Sequence, residues 1–186
     1  MDALELLHTR VSSSRLSGNV SPEKLEAIVQ AALRAPDHAQ LRPWRFLAIN
    51  GKSLERLGAL FAQAKLTEDP SISSTDLEKL KKKPLRAPVI IVAIMSFSAH
   101  PKVPEVEQIL SMGAAVQSML LAAFAQGLGS MWRTGGMAYS KIVQQGLGLN
   151  NEEAIAGFLY LGEVEGKLRT VRPLESANFM KEWTDR

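Results

Sequence analysis

Alternating and continuous runs of apolar residues along the chain predict a series of helices and strands. The run SPEKLEAIVQAALRA, residues 21–35, repeats apolar residues at helical spacing and begins with Ser21 and Pro22, which are favoured at the N-cap and first position of a helix. The alternating run WRFLAIN, residues 44–50, predicts a strand because it ends at an Asn-Gly turn signal. The continuous run APVIIVAIM, residues 87–95, is rich in β-branched residues and predicts a strand buried on both faces.

The rest of the chain continues this alternation. Further helices are predicted at residues 2–9, 52–65, 74–83, 105–126 and 139–149, and further strands within residues 128–137 and 154–164. No repeat and no linker-like segment separates these elements. We therefore expect a single α+β domain, residues 1–186, whose sheet order the pattern alone does not determine.

The segment from Ile109 to Ala125 is almost wholly apolar. A membrane span needs ~20 apolar residues, and this segment is shorter and contains Ser111, Gln117 and Ser118. A helix that is apolar nearly all round is otherwise buried on all sides. We therefore expect a central helix and no membrane span. In a chain of 186 residues, such a helix favours a position shared with a second subunit.

Composition excludes several kinds of chemistry. The chain has no cysteine, and its three histidines lie far apart in sequence, so neither a cysteine nucleophile nor a metal site is expected. A net charge of +3 is too mild for a dedicated nucleic-acid binder, and the basic run KLKKK, residues 79–83, is expected to be a solvated helix end. The first ten residues carry acids and lack the apolar core of a signal peptide, which favours a cytoplasmic protein.

Three segments carry side chains suited to binding a ligand. In TRVSSSRLS, residues 9–17, Arg10, Ser12 and Arg15 follow a predicted helix. Guanidinium groups bind pairs of phosphate oxygens and serine hydroxyls add donors, so this segment is typical of a phosphate site. A helix C-terminus followed by a serine-rich turn explains the same residues, and the sequence leaves both interpretations open.

The other two segments are a proline-containing loop and a glycine-rich turn. In APDHAQLRPWRF, residues 35–46, two prolines stiffen a loop that offers His38 and Arg42 as donors. In GLGSMWRTGG, residues 127–136, the glycines allow a ligand to approach the backbone, but their spacing is not that of a dinucleotide-binding fingerprint. Each segment has a plain structural alternative, which is a rigid turn for the loop and a tight entry into a strand for the glycines.

Together, the three segments resemble the FMN-dependent nitroreductase family. ALELLHTRVSSSR is similar to the family's N-terminal RRSxR element, and APDHAQLRPWRF is similar to its APSxxNxQPWxF loop. GAAVQSMLLAAFAQGLGSMWRTG resembles its central helix and GLGxxW turn, and GFLYLGE resembles its closing strand. These elements occur in the family's order over nearly the whole chain, and the short length resembles a compact bacterial subgroup of NAD(P)H nitroreductases.

The resemblance implies a fold and an activity. The fold would be nitroreductase-like α+β, with a central antiparallel-rich mixed sheet flanked by helices, in an intertwined homodimer that holds FMN at its interface. NAD(P)H would reduce FMN, which would then reduce a small electron-poor acceptor such as a nitroaromatic or a quinone by a ping-pong mechanism. No protein acid or base is required, so no catalytic side chain is expected. A non-catalytic dimeric flavin-binding or redox-responsive module remains the alternative.

The same resemblance implies the cofactor-binding residues. Contacts to the phosphate and ribityl chain would come from Arg10, Val11 and Ser12. The residues near the other subunit's FMN would be Arg34 and His38. The turn beside the isoalloxazine ring would comprise Trp132, Arg133, Thr134 and Gly135. In the last group, a backbone N–H would face the flavin N5.

The sequence departs from the family pattern at three positions. Val11 replaces an arginine, so it would contribute only its backbone, and Gln40 replaces an asparagine. Arg42 replaces a glutamine and adds a cation, which would favour acidic substrates or the 2′-phosphate of NADPH.

Overall fold

The structure is a computed structural model that describes residues 2–184. Its helices and strands follow in the order α1 (Ala3–Thr9), β1 (Leu16–Ser17), α2 (Pro22–Ala32), β2 (Trp44–Asn50), α3 (Lys52–Glu68), α4 (Ser74–Lys82), β3 (Val89–Ser96), α5 (Glu105–Ala125), β4 (Gly129–Arg133), α6 (Gly136–Tyr139), α7 (Lys141–Gly146) and β5 (Glu153–Val164). Short 3₁₀ turns lie at His38–Gln40, Pro84–Arg86 and Ser176–Asn178. The α+β class that the sequence predicted is confirmed.

The five strands form a sheet in which β5 is central. One edge of β5 pairs with β3, which pairs in turn with β2, and the other edge of β5 pairs with β4 and with the two-residue β1. All of these pairings, in the part of the chain described, are antiparallel, so the mixed sheet that we expected is wrong for residues 2–184. The connections explain this result. Two helices join β2 to β3 and allow them to run in opposite directions, and β5 separates β3 from β4, which run in the same direction.

Different helices cover the two faces of the sheet. On one face, α3 places Leu57 and Phe61 against the sheet, and the rings of Phe61 and Phe158 meet edge to face with centroids 5.4 Å apart. On the other face, α2 and α5 pack together, and α5 buries Met112 and Val116 at helical spacing. Full burial of each such side chain is worth roughly 1.5–3 kcal/mol, so these two layers hold the sheet in place.

Helix α5 buries one face and exposes the other. Met112, Val116 and Met119 are buried, whereas Val106 and Leu110 are more than half exposed. The expectation that this helix is buried on all sides is therefore wrong for a single chain. By length and composition α5 could cross a membrane, and it is the one helix among residues 2–184 of which this is true. Its packing against α2 and the sheet shows that it is a core helix.

Local chemistry explains where two of the predicted helices begin or end. Ser21 caps α2, because its hydroxyl accepts a hydrogen bond from the backbone N–H of Lys24 at 3.4 Å, and Pro22 is the first helical residue. Helix α3 continues to Glu68, three residues beyond the predicted end, because no helix-breaking residue occurs before Pro70.

An ion pair between the buried carboxylate of Glu153 and the partly exposed side chain of Arg45 joins strands at one end of the sheet. The Nε and Nη2 of Arg45 on β2 donate to the carboxylate of Glu153 on β5 at 2.5 and 2.7 Å, and Ser96 on β3 donates to it at 3.1 Å. The backbone N–H of Asn150 donates to the same carboxylate. These donors, the Arg45 guanidinium foremost, lower the pKa of Glu153 to about 2.

Candidate functional site

The N-terminal serine-rich loop is fastened to two strands of the sheet. The backbone N–H of Ser13 donates to the carbonyl of Ser130 on β4 at 2.9 Å. The next residues form β1, which pairs with the end of β5, and the N–H of Glu165 donates to the carbonyl of Arg15 at 3.1 Å. These bonds bring the first and third ligand-binding segments side by side. They also bring the residues that follow β5 against the serine-rich loop.

A cavity of about 280 Å³ opens between this loop and the start of the C-terminal segment, and we call it the N-terminal cavity. It carries three cations, Arg15, Lys167 and Arg169, and one carboxylate, Glu165. Its other lining residues are Ser12, Ser13, Ser14, Met131, Gly166 and Leu168. Hydroxyl groups and an excess of cations suit a phosphate.

A second cavity, of about 410 Å³, lies beside the end of β4, and we call it the β4 cavity. It shares Met131 with the N-terminal cavity, so the two are neighbours. Its other lining residues are Phe61, Lys83, Arg86, Trp132, Arg133, Thr134, Gly135, Gly136, Met137, Phe158 and Tyr160. Aromatic and apolar walls with three cations suit a flat, electron-rich or anionic ring.

The positive charge of the β4 cavity influences the one phenol in its wall. Burial raises the pKa of Tyr160, and the nearby guanidiniums of Arg133 and Arg86 act in the opposite direction. The guanidinium carbon of Arg133 lies 5.5 Å from the centre of the Tyr160 ring, a cation–π distance. The phenol is therefore expected to remain neutral and to serve as part of the wall.

Two arginines of the predicted site have buried donor atoms without partners among the described residues. The atoms are Nη1 of Arg10 and Nε of Arg133. A buried donor without a hydrogen bond is costly, and such groups in a folded protein usually find a partner. A bound anionic ligand would supply acceptors for both.

Trp132 has a position that depends on a glycine in the neighbouring strand. Its indole N–H donates to the carbonyl of Ala156 at 3.1 Å. A Cβ atom on Gly157 would lie 2.0 Å from the indole nitrogen, so only glycine leaves room for the ring. The register of β3 against β5 shifts between Ala93 and Ile94, opposite this point. The irregular strand thus creates the space that the indole occupies.

The predicted residues Arg34 and His38 lie outside both cavities. The Nδ1 of His38 is 2.6 Å from Oε2 of Glu107 on α5, and both side chains are substantially exposed. Arg34 lines a third cavity, of about 320 Å³, with Leu33, Ala35, Asp37, Gln40, Arg42 and Trp44. This region belongs to the face that α2 and α5 cover. One chain therefore does not bring all of the predicted contacts together.

Comparison with known proteins identifies the family. The model of the nitroreductase family matches residues 16–163. The chain belongs to the nitroreductase family. The recognition made from the sequence motifs is confirmed.

Individual relatives of this nitroreductase cover most of its length. The protein named "Putative NAD(P)H nitroreductase YdjA" from Escherichia coli is 40% identical over 171 residues, which are 91% of this chain and 92% of that protein. The crystal structure of a nitroreductase-like family protein from Bacillus cereus covers 97% of this chain and 95% of that chain, with a TM-score of 0.83 and 21% identity. A nitroreductase with bound FMN from Bacteroides fragilis has a TM-score of 0.70 and 20% identity, over 95% and 96% of the two chains. The structural matches support the same fold.

The predicted site residues of this nitroreductase are divided among the cavities. Ser12 lines the N-terminal cavity, and Trp132, Arg133, Thr134 and Gly135 line the β4 cavity. Arg10 and Val11 directly precede Ser12 but are not among the lining residues of either cavity. Arg10 instead has a buried, unpaired nitrogen.

Several cations in the cavities were missed from the sequence of this nitroreductase. Lys83 was interpreted as part of a solvated basic run, and Arg86, Lys167 and Arg169 were not among the predicted site residues. A signal for Lys167 and Arg169 exists, because these two cations lie at i and i+2 shortly after the end of a predicted strand. Only long-range pairing of β1 with β5 shows which loop they meet.

Apolar side chains on two helices of this nitroreductase are left uncovered by the other residues of the 2–184 range. They include Leu4 and Leu7 on α1, and Val106 and Leu110 on α5, all at least half exposed. The segment after β5 is also exposed, and Trp183 within it is 95% exposed. Contiguous exposed apolar surface of this kind is typical of an interface.

Proposed function

We propose that this nitroreductase is an FMN-dependent oxidoreductase that uses NADH or NADPH. When bound, FMN would accept electrons from the reduced nicotinamide and pass them to an electron-poor acceptor, such as a nitroaromatic or a quinone, in ping-pong fashion. The observation that carries the proposal is the pair of adjoining cationic cavities beside β4, together with the buried donors of Arg10 and Arg133 that lack partners among the described residues. The bound FMN of the Bacteroides fragilis relative supports it.

The N-terminal cavity is assigned to the phosphate of FMN. That phosphate carries roughly two negative charges, and an enclosed anion of this kind needs cations and hydrogen-bond donors. Ser12 would donate from its hydroxyl, and Lys167 and Arg169 would contribute charge from the other side. Arg10 fits the same role, because its buried nitrogen lacks an acceptor within the described chain.

The β4 cavity is assigned to the isoalloxazine ring. Phe158, Tyr160 and Trp132 provide flat walls, and the turn at Thr134 and Gly135 provides backbone without bulky side chains. Lys83, Arg86 and Arg133 make the cavity positive, which favours a ring that gains electrons. The proposal assigns no side chain as an acid or a base.

A homodimer would complete the site. The exposed apolar faces of α1 and α5, with the exposed segment after β5, offer surface for a second copy of the chain. Arg34 and His38 lie away from the two cavities of their own chain, and we propose that they approach the FMN of the partner instead. Glu107 would hold the His38 ring in one orientation through its 2.6 Å contact to Nδ1.

The proposal is tested first by spectroscopy. The purified protein should be yellow, should bleach when NADH or NADPH is added without oxygen, and should regain its colour when menadione is added. Arg10→Ala should weaken FMN binding about tenfold or more, because it removes a charged donor. Lys82→Ala is the matched control and should retain FMN, since Lys82 lines neither cavity.

The outcomes separate the two candidate functions. Protein that is yellow but does not bleach would support the non-catalytic flavin-binding module. Protein that is colourless and takes up no FMN would contradict both interpretations.

A further inference from the structure

The third cavity is lined by two guanidinium groups that have no anionic partner in the part of the chain that the structure describes. Arg34 and Arg42 both border it, and within residues 2–184 neither guanidinium donates a hydrogen bond or takes part in an ion pair. The only carboxylate in the lining is Asp37, and its Oδ2 accepts the backbone N–H of Arg42 at 2.7 Å. The cavity is therefore an open, positively charged recess of about 320 Å³.

The loop that forms this recess holds Arg42 in an unusual backbone conformation. Ala39, Gln40 and Arg42 all have positive φ, at 61°, 54° and 51°, which is uncommon for residues with a side chain. The bond from Arg42 to Asp37 closes the turn, and Pro43 follows it directly. Strained backbone is retained where the surrounding structure imposes it, and it concentrates at ligand sites. The backbone conformation of this loop therefore determines the direction in which the Arg42 side chain leaves the main chain.

We propose that this recess is an anion subsite for the substrate that exchanges electrons with the flavin, and that Arg42 determines its preference. The group it receives is a phosphate or a carboxylate, because the planar guanidinium of Arg42 can bind either one through two parallel hydrogen bonds. Two substrates could supply that group: the 2′-phosphate of NADPH, or an acid substituent on the electron acceptor. The inference depends on the proposed flavin chemistry and on the dimer that brings the loop to the partner's cofactor.

The test compares Arg42→Gln and Arg42→Lys with the unmodified holoenzyme. Gln has no charge, but it keeps the backbone N–H that binds Asp37, so the loop should be preserved. Arg42 is preferred to Arg34 because Arg34 belongs to the proposed FMN site. Arg56→Gln, which changes an exposed arginine on α3 outside this recess, is the matched control.

Two pairs of substrates distinguish the possible sources of the anion. If the anion is the 2′-phosphate, Arg42→Gln should lower kcat/KM for NADPH about tenfold and change kcat/KM for NADH less than twofold. If the anion belongs to the acceptor, Arg42→Gln should lower kcat/KM for 4-nitrobenzoate about tenfold and change kcat/KM for 4-nitrobenzamide less than twofold. Arg42→Lys should retain part of the preference in either case, because it retains the charge but not the planar fork.

Calorimetry provides a measurement independent of turnover. If the anion is the 2′-phosphate, Arg42→Gln should bind NADP⁺ about tenfold more weakly and should bind NAD⁺ with unchanged affinity. If the anion belongs to the acceptor, the affinity for 4-nitrobenzoate should fall instead. Equal effects on both members of both pairs, or loss of FMN from Arg42→Gln, would overturn the subsite. Failure of the unmodified protein to bind FMN or to bleach with NADH would instead overturn the proposed function, so the two failures are distinguishable.

Discussion

The fit of Trp132 over β5 makes a sharp prediction for Gly157→Ala. The added Cβ would lie 2.0 Å from Nε1 and 2.5 Å from Cδ1 of Trp132, and 3.1 Å from the carbonyl oxygen of Arg133. The two distances to the indole are shorter than any normal contact between non-bonded atoms. The third neighbour, the carbonyl oxygen of Arg133, is a backbone atom and cannot move aside easily. The indole must therefore leave its position.

The cost follows from what the indole loses. Its hydrogen bond to Ala156 contributes about 1 kcal/mol net. Trp132 is only 38% exposed, and returning much of its buried area to water costs about 2 kcal/mol at ~25 cal/mol per Å². We expect Gly157→Ala to lower the free energy of unfolding by about 3 kcal/mol, which for a chain of this size lowers Tm by roughly 6–12 °C.

Unfolding in urea, followed by tryptophan fluorescence and by circular dichroism on FMN-free protein, measures this cost. Gly136→Ala is the matched control for stability alone, because a Cβ there meets no atom within 4 Å and Gly136 begins α6, although it also lines the β4 cavity. The control should unfold within about 0.5 kcal/mol of the unmodified chain. FMN affinity should also fall in Gly157→Ala, because Trp132 lines the β4 cavity. A variant as stable as the control would refute the assigned position of the indole.

Two further predictions concern the sheet and the apolar surface. Because the bonds from Arg45 depress the pKa of Glu153 to about 2 from an ordinary 4.5, its stabilisation is complete above the higher value and disappears as the pH falls through the lower one. The unmodified protein should lose ~2 kcal/mol between pH 5 and pH 2 in urea unfolding from this group, and Glu153→Gln should lack that component; equal acid sensitivity would contradict the pairing. Leu110→Glu should convert a dimer into monomers in light scattering, because it places a charge on the exposed face of α5, whereas Leu66→Glu on α3 should not; a monomeric unmodified protein would refute the interface.

Much of the fold could be predicted because its signals are local. Strands β2 and β3 were predicted correctly, because the alternation in β2 and the continuous β-branched run in β3 are patterns of consecutive residues. Strand β1 was missed, because two residues carry no period and Leu16 and Ser17 become a strand only by pairing with β5. The exposed side of α5 was missed for a related reason. An apolar helix sequence does not show which of its faces the rest of the chain covers.

The site, like the fold, has residues that local motifs predict and residues that only the long-range structure identifies. The segment at Trp132 could be found because glycines and a tryptophan make a compact motif. Lys167 and Lys83 could not, because each is one of several cations in a charged stretch and its role depends on which distant segment it faces. Topology, and not local pattern, determines that choice.

The N-terminal cavity has walls from distant parts of the sequence, with Ser12 on one side and Arg169 on the other. The pairing of β1 with β5 brings these walls together, so the cavity exists only after this long-range contact has formed. A ligand that binds there would therefore bind the folded sheet and not the unfolded chain, and it would raise the free energy of unfolding by mass action.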